Sequence, residues 1–61
     1  MCLSTVYENE MAEANAIMKN VMTVECQDGK VILTDLMGRT LEVPGTLQKA
    51  SLTDGYVILN V

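Results

Sequence analysis

The chain has 61 residues, eight of them acidic against four basic, no histidine, and a formal net charge of −4. A domain this short buries only about 60% of the surface its unfolded form exposes. Its scattered cations (Lys19, Lys30, Arg39, Lys49) offer no stripe for a phosphate backbone, so nucleic-acid binding is disfavoured. The lack of histidine also removes the common Cys/His zinc frameworks and the commonest general base, and no catalytic motif is present, so the chain is not expected to be an enzyme.

The opening run Met1-Cys2-Leu3-Ser4-Thr5-Val6-Tyr7 is rich in β-branched and aromatic residues beyond its second position. It reads as an edge or entry strand that holds the terminus in place. Glu8 to Lys19 is locally ambiguous. Met11, Ala14, Met18 and Met22 fall near a helical stripe, yet a three-turn helix is marginal without packing. A hairpin arm with its loop near Glu10 to Ala14 fits the β-rich remainder better.

From Val21 onward the pattern alternates, with Met22, Val24 and Cys26 in phase. Asp28-Gly29 then separates that run from Lys30-Val31-Ile32-Leu33-Thr34, a strong two-residue hairpin signal. Asp35-Leu36-Met37-Gly38 makes a second turn, which the Asp35 side chain is expected to cap. Arg39 to Val43 alternates again and stops at Pro44-Gly45. Leu47, Ala50 and Leu52 give a weak pattern that suits a short strand or one helical turn. Asp54-Gly55 opens the last strand, Tyr56 to Val61.

Turn signals about every ten residues between short apolar runs predict an all-β domain spanning residues 1–61, a small antiparallel barrel or meander. About half the residues are apolar, but only Tyr7 and Tyr56 are aromatic. So slight a core is often completed by oligomerisation, and a homodimer is expected. No apolar run approaches the ~20 residues of a membrane helix, and the start lacks the basic region of a signal peptide. The expectation is a soluble, cytoplasmic chain with reduced thiols.

Chemistry concentrates at the start. Cys2 brings together a thiolate, a backbone nitrogen and the adjacent terminal amine of Met1. If Met1 is removed, Cys2 itself becomes an amine-thiolate chelator. Nickel(II) with nitrogen and sulfur donors favours square-planar geometry; copper and cobalt are the natural competitors. Cys26 reads instead as a small packing hydrophobe, and the methionines as fillers of cores and interfaces. A Cys2–Cys26 disulfide is disfavoured in a reducing compartment.

Several features then stand in one order: Met-Cys-Leu-Ser-Thr-Val at the start, Asp28-Gly29-Lys30-Val31, Leu33-Thr34-Asp35-Leu36-Met37-Gly38, Val43-Pro44-Gly45, and the ending from Leu52 to Leu59. Together they resemble the CooT-type family of small nickel-binding proteins, some members of which are labelled as predicted RNA-binding proteins. The resemblance implies an SH3-like β-barrel that dimerises and binds Ni(II) through the paired second-position cysteines, here Cys2. It further implies an accessory role in supplying nickel to carbon monoxide dehydrogenase. A two-fold axis joining both Cys2 residues would supply two thiolates and two nitrogens. The alternative readings are an RNA- or protein-binding SH3-like module in which Cys2 only packs, and a structural subunit that lends an edge strand to a larger partner.

Overall fold

The structure, a computed structural model, describes residues 3–61. Six strands follow one another: β1 (Ser4–Glu8), β2 (Ala16–Gln27), β3 (Lys30–Asp35), β4 (Thr40–Pro44), β5 (Thr46–Ser51) and β6 (Tyr56–Asn60). The only helical element among the described residues is a 3-10 turn at Glu13–Asn15. The stretch from Glu8 to Lys19 is therefore a hairpin arm, with its loop where the β-rich context places it.

All six strands form one sheet in the order β4-β3-β2-β1-β6-β5. Two features depart from the antiparallel barrel expected. First, β1 and β6 run parallel, with Val6 opposite Val57 and Tyr7 opposite Ile58. The last strand adds to the free side of the first one, so β1 lies inside the sheet rather than at its edge. Second, the sheet does not close: β4 and β5 are its two edges, and no ladder joins them.

The sheet is nevertheless rolled. β4 ends at Pro44 and β5 begins at Thr46, so Gly45 alone links one edge of the sheet to the other. Two peptide units span at most about 7 Å, so the edges must meet at this corner. The Gly45 amide also donates to the Gly29 carbonyl at 2.9 Å.

Bulges in β2 produce the bend. Against β1 its register slips between the pairs Ser4–Val21 and Val6–Met18, and again before Tyr7–Ala16. Against β3 it slips once more between Val21 and Thr23. Each extra residue deepens the local twist. Asn20 sits at one such point with φ 56°, and its carbonyl accepts from the Leu36 amide at 2.9 Å.

Beyond the bulges β2 and β3 run in regular register to the Asp28-Gly29 turn. Both turn residues have positive φ, 45° and 77°, as the mirror-image two-residue hairpin requires. Val6, Val21, Val31, Leu33, Val43, Val57 and Leu59 fill the concave side, with Ile17, Met18 and Val24 packed against them. The core is small and contains no aromatic ring.

Candidate metal centre

Met1 and Cys2, the expected ligands, lie outside the described residues. What the structure gives is the frame into which they lead. Ser4 pairs with Val21 on one side and Thr5 with Tyr56 on the other. The Thr5 amide donates to the Gly55 carbonyl at 3.0 Å. At the far end of β1, the Asn9 amide donates to Leu59 O at 2.7 Å, while Asn9 Oδ1 accepts from the Val61 amide at 3.0 Å. The strand that follows Cys2 is thus held along both sides and clamped at its end.

Ser4 also lies on the rim of an apolar cleft of about 310 Å³, lined in addition by Val21, Met22, Val24, Cys26, Leu47 and Leu52. Pairing geometry explains the cleft. Val24 stands opposite Leu33, Cys26 opposite Val31, and Leu47 opposite Leu59. Directly opposite residues share a face of the sheet, so all these side chains belong to the core side. The rolled sheet gapes there, and Met22 and Leu47 remain about half exposed.

Cys26 was expected to be buried. Alternation gives the correct face, but the cleft leaves the side chain solvent-exposed and its thiol unpaired among the described residues. The methionines divide: Met18 packs on the core, whereas Met11, Met22 and Met37 are exposed. Among the described residues no three His, Cys, Asp or Glu side chains gather where a metal could sit. Nor is any helix there long and apolar enough to cross a membrane.

The one buried charged residue among the described residues is Asp35, at the end of β3. Its Oδ1 accepts from the Met37 and Arg39 amides, each at 2.9 Å, and its Oδ2 from Arg39 Nε at 2.8 Å. Burial pushes the carboxyl upward, but the backbone donors and the Arg39 guanidinium prevail, and the group lies below the ordinary 3.8. The side chain closes the turn, as its position in the sequence suggests; the Arg39 partner was not foreseen.

A depressed folded pKa makes the carboxylate stabilising above 3.8, with that contribution lost as pH falls through the lower folded value. Asp35→Asn should therefore lower the urea midpoint at neutral pH, and the gap to the parent should close under acid. A gap constant from neutral to acid pH would contradict this account.

No curated protein matches the chain. A protein family does, over residues 1–60, and it is described as CO dehydrogenase accessory protein CooT. That match takes in every strand, the Asp35 turn and the Met1-Cys2 start, so the chain belongs to the CooT family of CO dehydrogenase accessory proteins.

Proposed function

We propose that this protein carries or stores nickel for a carbon monoxide dehydrogenase, holding Ni(II) as cargo through Cys2 and the nitrogen donors beside it. The observation that carries the reading is the family match, which includes the only thiol-and-amine chelate of the sequence. A strand fixed on both sides supports it. A ligand attached to a held strand loses less freedom on binding than one on a free tail.

The site is completed by a second copy of the chain. One start offers a thiolate and one or two nitrogens, and square-planar nickel takes four donors. The apolar cleft beside Ser4, with Met22, Leu47 and Leu52 exposed around it, is a surface that dimerisation would cover. A cytoplasmic setting would keep the thiols reduced and able to bind.

The test is a titration of the reduced, untagged protein with nickel(II), followed by ultraviolet absorption and light scattering together. A thiolate-to-nickel charge-transfer band that saturates at one metal per two chains is the expected result. Absence of the band, or saturation on a monomer, would overturn the shared site.

A further inference from the structure

Opposite in character to the apolar cleft is an open hollow of about 440 Å³ lined by Ile17, Met18, Lys19, Asn20, Asp35, Arg39, Thr40 and Leu41. It brings together two of the four cations of an acidic chain. The other two are engaged elsewhere. Lys30 pairs with Glu42 at 3.2 Å, and the Lys49 ammonium lies 5.7 Å from the centre of the Tyr56 ring.

Within the hollow the cations are differently placed. Lys19 is in no ion pair among the described residues. Arg39 uses Nε to bond Asp35, a carboxylate that two backbone amides already fix. Its guanidinium is therefore oriented from below while the side chain stays 74% exposed. The outer guanidinium nitrogens have no acceptor among the described residues. A planar fork held in one orientation is suited to a carboxylate.

The hollow's remaining walls narrow the choice of ligand. Ile17, Met18 and Leu41 supply apolar surface beside the cations. A nucleic acid would bring many phosphates against a net charge of −4, and neither tyrosine lines the hollow for a base to stack on. A short carboxylate-bearing segment with an apolar neighbour matches both the charge and the walls.

We propose that the hollow formed by Lys19, Asn20, Arg39 and Thr40 docks an acidic segment of a partner protein, one carboxylate bridging Lys19 and Arg39 and an apolar side chain resting on Met18 and Leu41. The site does not depend on metal, so it is tested in the metal-free protein and its failure leaves the nickel reading untouched.

The experiment is an amide-resonance titration of the full, nitrogen-labelled chain with a blocked peptide of alternating glutamate and leucine. Saturable shifts confined to Met18, Lys19, Asn20, Arg39, Thr40 and Leu41 are expected. They should weaken roughly fivefold in Lys19→Glu, fade as salt rises, and vanish with the glutamine version of the peptide. Lys19→Gln, which adds no new charge, should also bind more weakly. Binding as tight as the parent's in either lysine variant, or shifts that persist with the glutamine peptide, would overturn the proposal, as would no shifts at all. So would equal binding of inorganic phosphate, which would mark a simple anion site.

Discussion

Replacing Gly45 by alanine is expected to remove a large share of the stability of this domain. The residue has φ +142°, and a Cβ there would press into the backbone carbonyl of Asn60. The obstructing atom is main chain on β6, which pairs with both β1 and β5, so it cannot swing aside as a side chain would. Strain of this kind costs about 1–3 kcal/mol for the backbone conformation alone. A chain of this length has only about 3–9 kcal/mol in total.

A loss of about 3 kcal/mol should lower Tm by roughly 10–25 °C, measured by circular dichroism. Gly38 provides the comparison. It also has positive φ, +84°, but nothing stands within 4 Å of an added Cβ. Gly38→Ala should cost only about 1–2 kcal/mol. Equal losses in the two variants would show that the corner between β4 and β5 is not sterically closed against β6.

Cys2→Ser should lower nickel affinity by more than about 100-fold while leaving the fold intact. Loss of a hydrogen bond behind a metal ligand already costs about 10–100-fold, and here the ligand itself goes. A hydroxyl does not ionise at neutral pH as a thiol near a metal does, so the charge-transfer band should vanish with it. Cys26→Ser, altered in the cleft, should keep the band. In the parent, affinity should rise with pH as thiol protons are released. Retained affinity in Cys2→Ser would remove the terminal site, and loss in Cys26→Ser instead would move it into the cleft.

Much of the fold is legible in the sequence because its turns are marked by residues that few other settings require. Asp28-Gly29 and Asp35 to Gly38 each reverse the chain where those residues stand, whereas Pro44-Gly45 turns a corner between β4 and β5, which run in the same sense. What escapes is what bulges conceal. Leu47 and Ala50 are three apart, a spacing that no regular strand puts on one face. A slip between Leu47 and Lys49 sets them opposite Leu59 and Val57, both buried.

The same holds for β2, where Met18, Val21 and Val24 also recur every third residue. The bulges at that end of the strand turn a strand's period into something close to a helix's. The parallel pairing of β1 with β6 left no local mark, because it joins segments about fifty residues apart. At the candidate site, the Asp35 cap was readable in its turn, while Met1 and Cys2, the expected ligands, lie outside the described residues. The cleft and the Lys19–Arg39 hollow were not readable, since each draws its walls from strands distant in sequence.

The parallel pair also fixes an order of events. β1 is made about fifty residues before its partner β6, and both clamps at Asn9 wait for Leu59 and Val61. Long-range pairings of this kind form late. β1 is therefore without its parallel partner until residues 56–61 have been made.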